Sequence, residues 1–551
     1  MKKSTRRTII RKVLWPVFLT ALLLTTASFK NDFFEIAKQI EIFTEMYKQL
    51  NMNYVDETNP GELMDNAIEG MLDGLDPYTK YWTEQEVERS KINRRGSYTG
   101  IGANVSTRSD RVIIVEPWKD YPADEAGLKA GDEIIQIDDL KISDYKENAG
   151  DLLKGSPGSE INILYKRQGE LYNAKLKRAA VDVKAVPFHT MATNDIGYVV
   201  LSKFNEKAST ETRKAIKDLK SQGAEKIILD LRGNPGGLLS EAVNVSNLFI
   251  PKGKLITSTR SVVDKYNKTY LTPKKEEFEG MPIAVLINGR SASASEIVSG
   301  SIQDYDRGVI VGARSFGKGL VQRPKPLSYG TQVKITISRY YTPSGRCIQA
   351  LDYWNRDEND EAVRTKAKDY NAFKTVNNKR TVYDGGGVQP DIELASAAYS
   401  PITTALLKEN TIFDYATEFY YENQYENVED FEFSDRDFND FVKWVEKRGF
   451  NFETVTESAF AKAYQTAINE ELEDDIKASY GDMVKAINIA KKKDIIDKKA
   501  EIKGLLIDEI VKRYFYRDGL YKYQIANNEE IKEAIDVLND TARYKKILGY
   551  E

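Results

Sequence analysis

Between residues 181 and 395 the chain alternates short apolar runs with stretches of helical period, and this alternation limits the fold more than any other feature. Strands are expected over 196–201, 226–231, 283–288, 309–312 and 332–338, and helices over 209–222, 238–249 and 294–305. Ala284-Val285-Leu286-Ile287 is apolar throughout and reads as a buried strand. Strands and helices in alternation make an α/β domain.

At 551 residues the chain is too long for one domain, and its length suggests about three or four. Residues 33–90 read as helical, with Ile36, Ile40, Phe43, Tyr47 and Leu50, then Leu63, Ala67 and Met71, at helical spacing. The segment LDPYTKYW (75–82) closes that pattern with a proline turn. Residues 97–180 change period: β-type runs at 112–115, 133–137 and 161–165 are separated by Ala130-Gly131-Asp132 and Gly155-Ser156-Pro157-Gly158. Residues 396–551 are polar and helical. Ser434 and Asp437 start one helix ahead of Phe438, Phe441, Val442 and Val445, while Ile507, Ile510, Val511 and Tyr514 mark another. The resulting division is 1–30 signal or anchor, 31–92 helical region, 93–180 β module, 181–395 α/β core and 396–551 helical extension.

The first thirty residues read as targeting rather than fold. Lys2, Lys3, Arg6, Arg7, Arg11 and Lys12 precede a mostly apolar run over 13–27, with Thr25-Thr26-Ala27 as a small-residue cleavage site. The run is short of the roughly 20 residues of a spanning helix and contains Pro16. Both a cleaved signal and an uncleaved inner-membrane anchor stay open, with membrane contact confined to residues 13–29. No cysteine follows the run, which excludes a lipoprotein. The body of the protein is expected outside the cytoplasm, in the periplasm.

Composition removes several function classes. The 80 basic and 84 acidic residues are interleaved and the net charge is −4, so no basic stripe favours nucleic acid. The lone Cys347 excludes an intrachain disulfide and a cysteine zinc site, and the lone His189 argues against a histidine metal site. No metal or cofactor is expected. A hydrolase with one histidine must find another base, and lysine is the usual substitute.

Residues 289–322, GRSASASEIVSGSIQDYDRGVIVGARSFGKGLVQ, carry the candidates. Ser293 sits where the strand over 283–288 turns into the helix over 294–305, so its oxygen would stand above the sheet and the Ala294 N–H could stabilise an oxyanion. Taken alone, Ser291, Ser293 and Ser295 read better as helix caps. Lys318 follows 25 residues later, between Gly317 and Gly319. A lysine base needs its pKa brought from about 10.4 to about 7–8, which burial achieves. The Gln322 carbonyl could accept a hydrogen bond from that amine. A second oxyanion donor could come from the glycine-rich strand-to-helix turn DLRGNPGG (230–237), where glycines let backbone N–H groups approach a substrate; taken alone it reads equally as an ordinary βα turn. Three other motif matches fail. The run from Gly312 to Lys318 lacks the Ser or Thr of a P-loop, and Pro324 and Pro326 forbid the helix that should follow. Ser315 and Lys318 cannot share a helical turn broken by Gly317 and Gly319. The elbow-like Gly289-Arg290-Ser291-Ala292-Ser293 lacks its last glycine and a histidine downstream.

SASASEI (291–297), FGKGLVQ (316–322), DLRGNPGG (230–237) and GGGVQPDI (385–392) together resemble the C-terminal processing, or tail-specific, peptidase family. YTGIG (98–102) and YPADEAGLKAGDEIIQID (121–138) are similar to that family's PDZ domain, and LDPYTKY to its N-terminal helical region. The resemblance covers roughly residues 36–395. It implies a multidomain α/β protein: a ClpP/crotonase-like protease core with an inserted mostly-β PDZ domain, a helical N-terminal region and a helical C-terminal extension. It implies Ser293 as nucleophile, Lys318 as general base, Gln322 as its support, and an oxyanion hole from Gly236 or Gly237 with Ala294. The PDZ turn Gly100-Ile101-Gly102 would hold the carboxylate of a substrate tail added as a strand. Partners would be unfolded or tail-exposed protein substrates, with an adaptor lipoprotein and a second copy of the chain as further candidates. Lys154 stands where relatives often carry an arginine that couples PDZ to active site, and it lacks that residue's bidentate fork. The extension stands open as an oligomerisation arm, an adaptor surface or a cover over the site. The alternative to a peptidase is a PDZ-bearing scaffold with an inactive protease fold.

Overall fold

The computed structural model describes residues 33–108, 111–144, 149–357, 361–394 and 398–550; the expected export signal lies outside the described residues. Residues 1–81 and 82–551 separate into two compact units. In the first, residues 33–53 are helical, and a second helix, Pro60–Asp73, starts at Asn59, whose Oδ1 accepts from the Gly61 and Glu62 N–H groups. The proline turn that follows is held by Asp76, which accepts from the Tyr78 and Thr79 N–H groups.

The second unit is built on a sheet whose order is Phe188–Met191, Ile196–Val200, Lys226–Asp230, Ile283–Ile287, Val309–Gly312, Ile392–Glu393. The first pair is antiparallel and every later pair parallel. Parallel strands need cover on both faces, which is why these runs are apolar at successive positions. On one face Leu229, Val285, Ile287 and Ile310 pack with residues of the helices Ala208–Ser221, Leu239–Ser246 and Ala294–Asp304. On the other face Ile228, Ala284, Leu286 and Val311 pack against Ile531, Ala534 and Leu538 of the helix Glu529–Asn539. The far end of the C-terminal extension is therefore a layer of the central domain. Its last helix, Thr541–Ile547, adds Tyr544, whose hydroxyl accepts from the Ile283 N–H and donates to its carbonyl.

Two elements differ from expectation for local reasons. The helix expected over 238–249 ends at Ser246, because the following Leu248 and Phe249 N–H groups bond three residues back and tighten the chain. The strand expected over 332–338 runs Gln332–Tyr341, since it pairs with Leu320–Pro326 along one edge and with Leu255–Arg260 along the other.

The small β module has the strand order Ala103–Arg108, Arg111–Pro117, Glu133–Ile137, Glu160–Arg167, Glu170–Lys177 around a core that includes Val112, Ile114, Ile134 and Ile161. It is joined to the body by a stem in which Ser97–Gly100 pairs with Ala179–Asp182. The extension has a separate core in which Phe419, Phe438 and Phe441 meet Ile502, Leu506 and Ile510 of the helix Lys499–Asn527. That helix breaks at Tyr516, which takes a positive φ of 56°. At the break Tyr516 donates to Asp124 Oδ1 at 2.6 Å and Arg517 grips Glu116 through two bonds of 2.7 and 2.6 Å, both partners belonging to the β module. Lys154 is engaged within the module, 2.6 Å from Asp151.

Candidate active site

Ser293 joins the strand Ile283–Ile287 to the helix Ala294–Asp304 in a backbone conformation, φ 55° and ψ −108°, that L-residues rarely adopt. Such strain persists only where surrounding bonds over-determine it, and here they come from three sides. From one side, the Ala292 N–H and the Ser295 hydroxyl donate to the Asn234 carbonyl at 3.0 and 2.9 Å, and the Ser291 hydroxyl donates to the Leu231 carbonyl at 2.8 Å. From the other, the Phe316 N–H donates to the Ser291 carbonyl at 3.0 Å. From below, the Tyr340 hydroxyl donates to the Ser293 carbonyl at 3.2 Å; Tyr340 is buried, which raises its pKa well above the ordinary phenol value. The serine cluster thereby sorts itself. Ser291, Ser295 and Ser315 are buried with their hydroxyls spent on structure, whereas Ser293 is half-buried at the helix start.

The glycine-rich turn lies directly against this elbow. A Cβ on Gly236 would stand 2.7 Å from the Ala292 carbonyl oxygen and 2.9 Å from both Ala294 N and Ser293 Cβ, so only glycine fits. Its own N–H donates to Asn234 Oδ1 at 2.9 Å. That corrects the expectation that either glycine could supply an oxyanion donor: Gly236 admits the elbow, but its amide is occupied. Gly237 forms a parallel bridge with Phe204 in which the Gly236 carbonyl and the Leu238 N–H take the hydrogen bonds, so the peptide groups of Gly237 face away from Phe204. Gly237 and the first helical amide, Ala294, are the donors this arrangement leaves for an oxyanion. A cavity of about 830 Å³ opens beside Gly236 and Gly237.

Lys318 is carried on the loop between Val309–Gly312 and Leu320–Pro326, and its flanking glycines are sterically required. A Cβ on Gly317, whose φ is 88°, would come within 2.4 Å of Ala350 Cβ, and one on Gly319 within 2.9 Å of Gln349. GGGVQPDI braces the same loop: Val388 donates to the Ser315 hydroxyl and accepts from the Ser315 N–H, and a Cβ on Gly387 would meet the Ser315 carbonyl at 2.6 Å. Gln322 lies opposite Thr336 on the neighbouring strand and donates to its hydroxyl at 3.1 Å.

The Ser293 turn and the Lys318 loop meet at Glu296, a residue that its sequence context does not single out. Its carboxylate is fully buried. Oε2 accepts from the Ser293 N–H at 2.7 Å and the Lys318 N–H at 3.0 Å, while Oε1 accepts from the Gly317 N–H at 2.7 Å and the Ser315 hydroxyl at 2.6 Å. Burial raises its pKa, and the four hydrogen bonds oppose that rise. Ser293-Ala294-Ser295-Glu296 has capping-box spacing, so the link to the serine was visible in the sequence; the link to Lys318 was not. Arg232, in the glycine-rich turn, was also passed over. It binds Asp230 in the same turn, and its Nη1 reaches Glu530 and, at 2.9 Å, Asn528 Oδ1 at the start of the helix that covers the sheet.

In the β module, Gly100 ends the stem strand, and Ile101 is buried with its carbonyl accepting from the Ala123 N–H at 2.8 Å. Gly102 has a φ of 71° and packs so closely on Tyr121 that a Cβ would lie 2.3 Å from the tyrosine Cβ. The turn opens onto Ala103–Arg108, the edge strand of the module's sheet among the described residues. Among those residues no group of acidic, cysteine or histidine side chains could hold a metal ion.

Comparison with known proteins agrees with this architecture. The model of peptidase family S41 matches residues 195–353, that of a PDZ domain matches 99–178, and that of a probable PDZ-protease C-terminal helical domain matches 402–538. The chain is 37% identical to a carboxy-terminal-processing protease of Bartonella bacilliformis, over 62% of this chain and 81% of the relative. It is 31% identical to a probable CtpA-like serine protease of Staphylococcus aureus, over 68% of this chain and 74% of that one. Among solved structures, a photosystem II D1 C-terminal processing protease aligns with a TM-score of 0.36 at 26% identity, covering 64% of this chain and 92% of that one. The chain belongs to peptidase family S41 and is a C-terminal processing serine protease with a PDZ domain.

Proposed function

We propose that the chain is an exported endopeptidase that cleaves tail-bearing proteins by a Ser293–Lys318 dyad. The observation that carries this reading is the shared carboxylate: Glu296 bonds the backbone of both residues, so the strained serine turn and the lysine loop form one rigid unit. In the forward step the neutral Lys318 amine takes the Ser293 hydroxyl proton as Oγ attacks the scissile carbonyl. The tetrahedral oxyanion is stabilised by the Gly237 and Ala294 N–H groups, and Lys318 returns the proton to the departing amine. Water, activated by the same lysine, then hydrolyses the acyl-enzyme. Gln322, fixed by Thr336, orients the amine.

Substrate tails add as a strand to Ala103–Arg108, with their terminal carboxylate at Gly100-Ile101-Gly102. Envelope placement rests on the basic-then-apolar start of the sequence; among the described residues no helix is long and apolar enough to cross a membrane. The test is a pH–rate profile on a fluorogenic peptide for wild type, Ser293→Ala and Lys318→Ala. Ser293→Ala should abolish cleavage, and the rise in rate toward basic pH should vanish in Lys318→Ala. Cleavage by Ser293→Ala, or an unchanged profile in Lys318→Ala, refutes the dyad.

A further inference from the structure

The cleft beside the glycine pair has a chemical character that the peptidase reading does not use. Three cations from separate parts of the chain line it: Arg94 from the helix Glu84–Arg95, Lys203 from the loop after Ile196–Val200 and Lys334 from Gln332–Tyr341; Arg323 also borders it, but its side chain alternates to the far face of its strand, beside Tyr266. Among the described residues no aspartate or glutamate lines it. The excess does not follow from composition, because the chain carries more acidic than basic residues. Nor is it the solvated face of one helix, since the fold converges the three charges from positions 94, 203 and 334.

We infer that this cleft is a cationic subsite that selects substrate segments carrying acidic side chains next to the scissile bond. The subsite adjoins the reacting groups. One wall is Gly236 and Gly237. Another is the strand of Lys334, which lies two residues before Thr336, the partner of Gln322, and so on the same strand face about 7 Å away. The Lys334 ammonium stands 5.0 Å over the Trp82 ring, so an aromatic wall holds it in place. Burial, and then the charge of Arg517, lower the pKa of Lys203, as expected for a cation in a site short of anions. A cleft of one sign with apolar walls focuses its field and raises the local concentration of the opposite charge. A glutamate fits both features, with methylenes for the walls and a carboxylate for the cations.

This inference rests on the peptidase reading, and the test separates the two. Full-length Ser293→Ala protein is titrated by fluorescence anisotropy with labelled peptides of one scaffold bearing Glu, Gln or Lys on either side of the central bond. The peptides are C-terminally amidated, so the PDZ turn contributes no carboxylate recognition. The Glu peptide should bind at least about tenfold tighter than the Gln peptide at low salt, and the Lys peptide weaker still, with the spread collapsing at high salt. In the background of Lys203→Gln with Lys334→Gln the ratio of Glu to Gln affinity should fall towards one. Equal affinities for Glu and Gln peptides, or a preference that survives the double substitution, overturn the inference. Cleavage of the Gln peptide by wild type reports on the peptidase reading separately, and its absence would sink that reading while anisotropy still decides the subsite.

Discussion

Replacing Glu296 tests whether one buried carboxylate holds the catalytic geometry. Three of its four donors, the N–H groups of Ser293, Gly317 and Lys318, are backbone and cannot turn away. In Glu296→Gln one oxygen becomes an NH2 group. The better orientation places it at the Oε1 site, where the Ser315 hydroxyl can reverse and accept but the Gly317 N–H cannot. Two buried donors, the Gly317 N–H and the reversed Ser315 O–H, are left unsatisfied at about 1–3 kcal/mol each, and relief of the buried charge offsets the weakening of the bonds that remain. Glu296→Ala strands all three N–H groups and should cost at least about 3 kcal/mol. It also frees the Ser293 turn and the Lys318 loop to shift independently, and a misplacement of about 1 Å can cost about 100-fold in rate. Urea unfolding and kcat on a fluorogenic peptide read the two effects separately. Ser315→Ala is the control, because it disturbs Oε1 while leaving Oε2 bonded to Ser293 and Lys318. The ordering of kcat should be Ser315→Ala above Glu296→Gln above Glu296→Ala. A Glu296→Ala protein that folds and keeps wild-type kcat would refute the argument.

The pH dependence has two opposite signs. Activity needs the ionised carboxylate, so below the raised Glu296 pKa the slope of log kcat against pH should steepen beyond that of Lys318 alone, and Glu296→Gln should remove the extra slope. Stability runs the other way. With the folded pKa above the unfolded value, the folded state binds more protons in that window, so this group lowers stability as pH rises from the ordinary carboxylate pKa through the raised one.

Gly237→Ala forces a Cβ to within 2.3 Å of the Phe204 carbonyl oxygen at a φ of 149°; it should lower kcat about 100- to 1000-fold, as the loss of one oxyanion donor does, measured against an unchanged far-UV spectrum. Ile531→Ala opens a cavity under the sheet face that Ile531 covers, and should cost about 2–5 kcal/mol by urea unfolding although residue 531 lies in the C-terminal extension. A cost below about 1 kcal/mol would mean that this helix does not contribute to the central core.

Much of the site was legible because its chemistry is local. A serine at a strand-to-helix turn, a lysine between two glycines and a glycine-rich strand-to-helix turn each carry their constraint in a few neighbouring residues. The choice among Ser291, Ser293 and Ser295 was not local. It depended on which hydroxyls meet carbonyls some 60 residues away, at Leu231 and Asn234. Glu296 and Arg232 were missed for a related reason. A glutamate inside a helix and an arginine after a strand look like solvated charges until the fold brings their partners from residues 315–318 and 528–530. The extension held no chemical motif, yet its far end packs on the central sheet. The signal lay elsewhere, in strands such as Ile283–Ile287 that are apolar on both faces and therefore require a second cover.

The sequence by itself determined the alternating α/β core, the β module and the residue types able to perform histidine-free acyl transfer, because periodicity, turn chemistry and the scarcity of His and Cys are properties of short stretches. Tertiary structure alone decided which serine is left half-exposed at the helix start, which glycine keeps its amide, which carboxylate ties Ser293 to Lys318 and which helix closes the sheet. Each of those depends on hydrogen bonds and apolar contacts between segments far apart in the chain, and a buried polar group reveals its role only through the partner that satisfies it.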